Sequence, residues 1–262
     1  MVLAAVPGLR LNKLRPVDTE RYSFHPVDSW GEAMDAIRHQ PVELAVADPL
    51  LSGGPGVHEM ERIRAYFPSL PMLVYTTLSP ESANVLLALG RLGIRRALFA
   101  RLDDSPAALR LALQDELEHT VAQRVLRDVS AVLRGMPDHL RWVLDAALRQ
   151  TTRPVSVESL AEQAQVERRT CQRWLAKAGL PGPKTVMMLA RLLYAHRLLG
   201  DPGYTVEDVA LKLGYGTART LQTHFREVFG LTAGELRLSM SPEAALERVA
   251  ERYFGAFRQV AS

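Results

Sequence analysis

Cysteine is almost absent from this sequence. Cys171 is the single cysteine among 262 residues, which excludes an intramolecular disulfide and a metal site built from several cysteines. Long apolar runs are absent too: no stretch approaches the roughly 20 residues of a membrane-spanning helix, and the apolar start is too short for a signal peptide. We therefore expect a cytoplasmic protein without membrane contact. Cys171 is predicted to be a small buried hydrophobic residue, with a reactive thiol as the alternative.

The sequence also lacks the usual signatures of catalysis and of cofactor binding. Its seven histidines are scattered without metal-ligand spacing. The glycine-rich stretch 53–56 lacks the Lys-Ser/Thr pair of a phosphate-binding loop, and neither a nucleophile elbow nor a catalytic carboxylate pair is evident. We therefore predict a protein that is not an enzyme, with no cofactor, no metal and no catalytic residue.

Charge is small overall and unevenly distributed. The net charge is +3, from 32 Lys and Arg against 29 Asp and Glu. Residues 1–120 contain 12 basic and 15 acidic side chains, which leaves 20 basic and 14 acidic side chains in the remainder. The second half is therefore the basic half, as binding to a polyanion requires, although a net charge of this size is common on globular domains.

The clearest pattern, between residues 204 and 237, predicts a helix-turn-helix. Thr205 and Asp208 form a capping pair that begins the first helix, and Gly214 supplies a left-handed residue for the turn. The second helix has an apolar stripe at helical spacing, formed by Leu221, Phe225, Val228 and Phe229. Its opposite face carries donors and positive charge from Arg219, Gln222, Thr223 and Arg226. Such a face suits a DNA major groove; a solvated amphipathic helix is the alternative.

An earlier copy of this plan lies between residues 156 and 180. Gln165 stands at its turn, where the left-handed conformation costs a residue other than glycine about 1 kcal/mol. The predicted buried stripe is Cys171, Trp174, Leu175 and Ala178, and the residues outside it are Arg168, Arg169, Gln172 and Arg173. Residues 183–199 predict a helix roughly 25 Å long between the motifs. Two such motifs can occupy successive major grooves, about 34 Å apart.

Residues 136–237 resemble the DNA-binding domain of the AraC/XylS transcription regulators. The second motif carries the likeness at the apolar, glycine and arginine positions Ala210, Gly214, Tyr215, Leu221, Phe225, Phe229, Gly230 and Arg237. The resemblance implies double-stranded DNA as the partner, with RNA polymerase as a further candidate, and two recognition helices in one subunit. The predicted DNA-binding residues are Arg168, Arg169, Gln172, Arg173, Thr217, Arg219, Gln222, Thr223 and Arg226.

Residues 1–120 alternate strand-like and helix-like segments. Short apolar runs at 22–27, 42–47, 72–76 and 94–99 predict strands, and Pro26 favours an edge position or an early end for the first of them. Helix starts at Ser29, Ser79 and Ser105 separate the runs. This alternation predicts an α/β domain with a parallel sheet.

The α/β domain weakly resembles the receiver of response regulators, which has a flavodoxin-like fold. Asp48 follows an apolar strand, as a phosphoacceptor would, and Thr76 ends the next strand. However, residues 1–28 contain no acidic pair for Mg²⁺, and the family's lysine is missing, with Arg101 one position late. Because phosphoryl transfer depends on those charges, we expect a degenerate receiver that is not phosphorylated.

The predicted boundaries are 1–120 for the α/β domain, 121–135 for a linker helix, 136–240 for the all-α DNA-binding domain and 241–262 for a C-terminal amphipathic helix. Residues 105–133 are predicted to form one long helix, whose apolar stripe is either a packing face or a dimerisation surface; the N-terminal domain is the other candidate for a homodimer contact. The apolar face of the C-terminal helix is Leu246, Val249, Tyr253, Phe254 and Phe257. Either domain or a second subunit is its expected docking partner.

These patterns predict a sequence-specific transcription regulator whose N-terminal domain senses a signal or contacts a protein. Two alternatives stay open. One is a phosphorylation-controlled response regulator with Asp48 as phosphoacceptor, and the other is a structural protein that coats or bends DNA with little sequence preference.

Overall fold

The computed structural model describes residues 1–17, 22–51, 56–133, 135–149 and 156–255. The chain forms two compact units. The first, called here the α/β unit, comprises Met1–Thr120 together with Asp201–Tyr204, and the second, called here the helical unit, comprises Val121–Gly200 and Thr205–Ser262. The segments 121–135 and 241–255 therefore belong to the same compact unit as the two helix-turn-helix motifs.

The α/β unit contains a five-stranded sheet in which every pairing is parallel. Its strands are β1 (Val2–Ala5), β2 (Phe24–Pro26), β3 (Leu44–Ala47), β4 (Met72–Thr76) and β5 (Ala97–Phe99). The intervening helices are α1 (Gly8–Leu14), α2 (Trp30–His39), α3 (Val57–Tyr66), α4 (Pro80–Arg91) and α5 (Pro106–Leu117). The order β2-β1-β3-β4-β5 is that of flavodoxin-like folds, so the predicted fold class of this half is confirmed.

The three inner strands consist of buried residues over their whole length, as expected for a parallel sheet covered on both faces. Pro26 lies in β2 at the sheet edge, where its missing N–H interrupts no ladder. Strand β1 and helix α1 were not predicted from the sequence. Because β1 pairs with both β2 and β3, the unpredicted strand is the one that joins the edge to the rest of the sheet.

Side-chain hydrogen bonds cap the N-termini of α2, α4 and α5 at the predicted serines. The hydroxyl of Ser29 accepts from the Glu32 N–H at 3.2 Å. Ser79 and Ser82 form a reciprocal capping box, with Pro80 in the first turn. These bonds satisfy N–H groups that have no partner within the helix.

The prediction of one long helix over residues 105–133 was wrong. The segment forms α5 and a separate helix α6 (Val121–Val132). The break occurs where both the N–H and the hydroxyl of Thr120 donate to the Leu117 carbonyl, at 3.1 and 2.9 Å. The apolar stripe is buried on both sides of the break, at Leu109, Leu113, Val121, Val125 and Val129. It is therefore a packing face, one of the two expected alternatives.

The helical unit is built around one long helix. Besides α6 it contains α7 (Asp138–Arg149), α8 (Val157–Gln163), α9 (Arg168–Lys177), α10 (Pro183–Leu199), α11 (Val206–Lys212), α12 (Ala218–Phe229), α13 (Ala233–Ser239) and α14 (Pro242–Phe254). Most of α10 is buried, and it packs against α6, α7 and α14 as well as against both helix-turn-helix motifs. The predicted C-terminal helix is α14, and it docks on α6, α10 and α12 of its own unit. Phe257, predicted on its apolar face, lies outside the described residues.

The segment Asp201–Tyr204 connects α10 to α11 in sequence but is part of the α/β unit. The Asp201 carboxylate accepts from the Ser69 N–H at 3.2 Å and from the Ser69 hydroxyl at 2.5 Å. The Tyr204 ring lies 4.7 Å from the Phe67 ring, and its hydroxyl donates to the Ile37 carbonyl at 3.3 Å. Hydrogen bonds and an aromatic contact therefore hold this short segment against Ile37, Phe67 and Ser69 of the α/β unit.

Cys171 is completely buried, and burial raises the pKa of its thiol. This agrees with a packing role rather than a reactive one. Among the described helices, none combines the length and the apolar character required to traverse a lipid bilayer.

Candidate nucleic-acid interface

The second helix-turn-helix consists of α11 and α12. Thr205 begins α11 with a capping box: its hydroxyl accepts from the Asp208 N–H at 3.1 Å, and its own N–H donates to the Asp208 carboxylate at 2.9 Å. The turn has its left-handed residue at Gly214, with φ of 69°, as predicted. Helix α12 ends at a second left-handed glycine, Gly230, with φ of 71°.

Helix α12 separates an apolar face from a polar one. The predicted stripe of Leu221, Phe225, Val228 and Phe229 is buried. On the other side Arg219, Thr223 and Arg226 are exposed. Thr217 caps the helix by accepting from the Thr220 N–H at 3.2 Å. The second motif therefore exposes two guanidinium groups and a hydroxyl on α12.

Gln222 differs from its neighbours on α12. It is half-buried, and its side-chain oxygen accepts from the Ala233 N–H at the start of α13, at 2.9 Å. This bond satisfies one of the free N–H groups of α13. The side-chain oxygen of Gln222 is therefore engaged within the protein.

The first helix-turn-helix consists of α8 and α9. Gln165 adopts the left-handed conformation, with φ of 55°, at the position expected from the sequence. Cys171 and Leu175 are buried on α9, and Trp174, half-buried, meets the His139 ring edge-on at 4.8 Å. The side chains on the outer face are all exposed: Arg169, Gln172 and Arg173.

Arg168, the first residue of α9, has a different environment from Arg169. Its guanidinium forms a salt bridge with Glu158 of α8, and both side chains are exposed. Arg168 also lines an open cleft of about 480 Å³ within the helical unit. The other polar side chains of the cleft are Ser156, Glu158, Lys184, Arg191, Tyr215 and His224.

Tyr215 and Arg191 form one wall of the cleft. The Arg191 guanidinium lies 6.0 Å from the centre of the Tyr215 ring, within the range of a cation–π contact. The Tyr215 hydroxyl is 3.4 Å from Nδ1 of His224. Burial raises the pKa of Tyr215 to about 12, so its hydroxyl is neutral at physiological pH and adds no negative charge to the cleft.

In the α/β unit, Asp48 lies at the carboxyl end of β3 and is buried, with 1% of its surface exposed. One carboxylate oxygen accepts from the Thr76 hydroxyl at 2.8 Å and from the Leu50 N–H at 3.1 Å. The other oxygen accepts from Arg10 of α1 in a salt bridge. Arg10 also donates to the Thr77 hydroxyl at 2.8 Å. Arg10 donates to the Tyr75 carbonyl at 3.3 Å as well, so the negative charge of Asp48 is neutralised by a guanidinium held at two further points.

A second charged cluster lies beside it. The Asp104 carboxylate accepts from the Tyr75 hydroxyl at 2.8 Å and from Lys13 of α1 at 2.7 Å. Burial alone would raise the pKa of Asp104, but the hydrogen bonds from Lys13, the Arg101 backbone and Tyr75 outweigh it and lower that pKa. Both cations of α1 thus pair with carboxylates at the carboxyl edge of the sheet.

These residues do not form a receiver's metal site. Strand β1 is followed by Val6 and Pro7, where a receiver has its acidic pair. Across the residues that the structure describes, no group of three His, Cys, Asp or Glu side chains is placed to hold a metal ion. Arg101 lies one position after the place where the receiver family has its lysine. Its side chain is exposed, and its backbone is left-handed with φ of 71°.

Comparison with protein families matches residues 160–239 to a helix-turn-helix domain of AraC type. Residues 160–239 are an AraC-type helix-turn-helix domain. The match covers α9 to α13 and the end of α8, and therefore both turns and the second helix of each motif. The resemblance predicted from the sequence is confirmed for this domain.

Solved structures that are similar to this chain include FixJ and the RcsB response regulator. Full-length FixJ from B. japonicum has 15% identity and a TM-score of 0.38, covering 90% of this chain and 97% of that one. RcsB from Salmonella enterica serovar Typhimurium bound to promoter rprA has 18% identity and a TM-score of 0.35, covering 71% and 96%. Another RcsB structure, from Salmonella typhimurium, has 16% identity and a TM-score of 0.32, covering 95% and 98%. No curated protein matches the chain.

Two features, one in the α/β unit and one in the helical unit, were not predicted from the sequence. Arg10 was not recognised as the partner of Asp48, because 38 residues separate them and the pairing depends on the unpredicted β1 and α1. The cleft was not recognised either. Its cations come from α9 and α10, and no spacing pattern links them.

Proposed function

We propose that this protein is a sequence-specific, DNA-binding transcription regulator of AraC/XylS type that is not an enzyme. Helices α9 and α12 are its recognition helices and enter successive major grooves. The observation that carries the proposal is the pair of helix-turn-helix motifs in one compact unit, each exposing a cationic and polar face. Helix α10 spans 17 residues between them, or roughly 25 Å. Double-stranded DNA is the partner, with RNA polymerase as a further candidate.

The exposed residues of α9 and α12 divide between base reading and phosphate contact. Arg169, Gln172 and Arg173 face one groove, and Arg219 and Thr223 face the other. Arginine pairs bidentately with guanine and glutamine with adenine, each worth about 1–3 kcal/mol of discrimination.

Other predicted residues have positions that favour supporting contacts. Arg226 lies about two helical turns from Arg219 and meets phosphate, which fixes register without reading sequence. Arg168 and Thr217, at the first turn and the N-cap of their helices, are also placed for phosphate. Gln222 contributes only its amide nitrogen.

The α/β unit serves in signal sensing or protein contact without phosphorylation at Asp48. The salt bridge with Arg10 supports this assignment, because both oxygens of the Asp48 carboxylate are already engaged, one by Arg10 and the other by Thr76 and the Leu50 N–H. The missing acidic pair supports it as well, since phosphoryl transfer depends on metal ions that neutralise the developing charge.

A binding selection on randomised duplexes tests the DNA-binding proposal. Arg173→Ala and Arg219→Ala should relax base preference in two different segments of the selected site, about 10 base pairs apart. Arg226→Ala should weaken binding to all sequences alike and lower the salt slope by about one unit. Arg110→Ala, at an exposed arginine of the α/β unit, removes the same charge and should leave both properties unchanged.

The outcome also separates the proposal from its alternatives. If Arg173→Ala and Arg219→Ala relax the same base pairs, the two-groove arrangement is wrong. If the wild-type protein enriches no sequence, the protein is a structural DNA-binding protein rather than a specific regulator.

A further inference from the structure

The cleft of the helical unit lies between the two recognition helices. Arg168 contributes from the first turn of α9, His224 from the middle of α12, and Lys184 and Arg191 from α10. Consecutive residues on a helix are about 100° apart. Arg168 and His224 are therefore on the flanks of their helices, each one position along the chain from the exposed residues Arg169 and Thr223. The cleft thus has a wall from each motif, and α10 contributes the residues between them.

Positive charge predominates in this cleft. The Lys, Arg, Asp and Glu side chains that line the cleft are three cations, Arg168, Lys184 and Arg191, and one anion, Glu158. Since Glu158 is paired with Arg168, Lys184 and Arg191 supply the net charge. Lys184 is exposed, and the Arg191 guanidinium is positioned by the Tyr215 ring.

The position of the cleft decides which anion suits it. Where two recognition helices occupy successive major grooves, a stretch of sugar–phosphate backbone lies between them. B-DNA carries a negative charge for about every 1.7 Å of its axis, so phosphates face any surface placed there. A volume of about 480 Å³ and the hydrogen-bonding groups of Tyr215 and His224 fit a phosphodiester and its sugar.

We infer that the cleft binds the DNA phosphate backbone between the two contacted segments, through Lys184 and Arg191, and so fixes the spacing at which both motifs engage. This inference rests on the proposed function. The contact is independent of base identity, because phosphates carry no sequence information. It also gives α10 a direct part in DNA binding beyond joining the motifs.

The test uses the full-length protein and a duplex from the binding selection. Lys184→Gln and Arg191→Gln remove one charge each while keeping a long polar side chain, and Arg248→Gln, at an exposed position of α14 outside the cleft, is the matched control. Each cleft variant should lower the slope of log Kobs against log salt concentration by about 0.9, which corresponds to roughly fivefold weaker binding at 0.15 M salt. Base preference should not change, and the control should keep the wild-type slope.

Neutral methylphosphonate linkages in the DNA give a second measurement that needs no protein variant. These linkages are placed one at a time between the two contacted segments. A linkage at the bound phosphate should weaken DNA binding by the wild-type protein. The same linkage should have little further effect on the variant, Lys184→Gln or Arg191→Gln, that lacks the cation contacting that phosphate, because this contact is already lost. Linkages outside the two segments serve as controls.

The inference is overturned if wild-type protein binds specifically and yet tolerates every intervening methylphosphonate, or if both cleft variants keep the wild-type salt slope. A wild-type protein without sequence-specific binding would instead overturn the proposed function. A cleft variant that fails to fold, as judged by its circular dichroism, leaves the decision to the methylphosphonate series.

Discussion

The two turns offer a matched experiment, because equivalent positions carry different residues. Gln165 and Gly214 both have left-handed backbones, with φ of 55° and 69°. For a residue other than glycine this conformation costs about 1–2 kcal/mol, whereas glycine's extra freedom in the unfolded chain costs about 0.4–1 kcal/mol. Gln165→Gly should therefore stabilise the helical unit by about 0.5–1 kcal/mol. Gly214→Val should destabilise it by about 1 kcal/mol or more, since a β-branched side chain is strained there.

Differential scanning calorimetry of the full-length protein measures both effects. For a unit of this size, 1 kcal/mol corresponds to a shift of roughly 2–4 °C in Tm. Gln165→Ala is the control: it removes the side chain but keeps the left-handed strain, so it should not reproduce the gain. If Gln165→Gly is no more stable than Gln165→Ala, or if Gly214→Val melts like the wild type, backbone strain does not control these turns.

Two further predictions concern buried charge. Intact mass spectrometry after treatment with acetyl phosphate and Mg²⁺ should show no phosphoryl adduct, since Arg10 holds Asp48; an adduct that disappears in Asp48→Asn would contradict this. Arg10→Met should destabilise the α/β unit by about 3 kcal/mol in urea unfolding, because it leaves Asp48 buried without its counter-charge. An Asp48→Asn/Arg10→Met double variant should lose less than the sum of the single changes.

A last prediction concerns pH. Burial lowers the pKa of His196, so this side chain binds a proton more readily in the unfolded state than in the folded state. The free energy of unfolding should therefore fall as pH drops through about 6.5. In urea titrations between pH 7.5 and 5.5, His196→Gln should flatten this dependence, whereas the exposed-site control His58→Gln should not; equal slopes for all three proteins would refute the assignment.

Local signals in the sequence predicted much of the fold. Ser79 and Thr205 begin helices because the hydrogen bonds that cap them span only three residues, and such bonds depend on sequence neighbours alone. The left-handed positions at Gln165 and Gly214 follow from the same local chemistry. Strand β1 escaped because a strand buried on both faces shows no alternation of polar and apolar residues, and four apolar residues alone do not distinguish a strand from a helix.

The functional surfaces were only partly predictable for a different reason. The exposure of Arg169, Arg173 and Arg219 follows from helical periodicity, which the sequence contains. The engagement of Gln222 by Ala233 depends instead on how α12 meets α13, and the pairing of Arg10 with Asp48 depends on how α1 lies against the sheet. Such contacts arise from packing between elements, and no spacing rule encodes them.

The assignment of Asp201–Tyr204 to the α/β unit makes that unit discontinuous in sequence. A fragment ending near residue 120 would lack the carboxylate that accepts from Ser69 and the ring that packs on Phe67. A fragment starting near residue 136 would retain that carboxylate and ring but lose both partners. Neither fragment would therefore keep all the contacts that its residues make in the intact protein. Limited proteolysis at the α10–α11 connection reports on the integrity of the α/β unit. Thr205, the N-cap of α11, follows Tyr204 directly. The segment Asp201–Tyr204 is therefore joined by a single peptide bond to the first residue of the second helix-turn-helix.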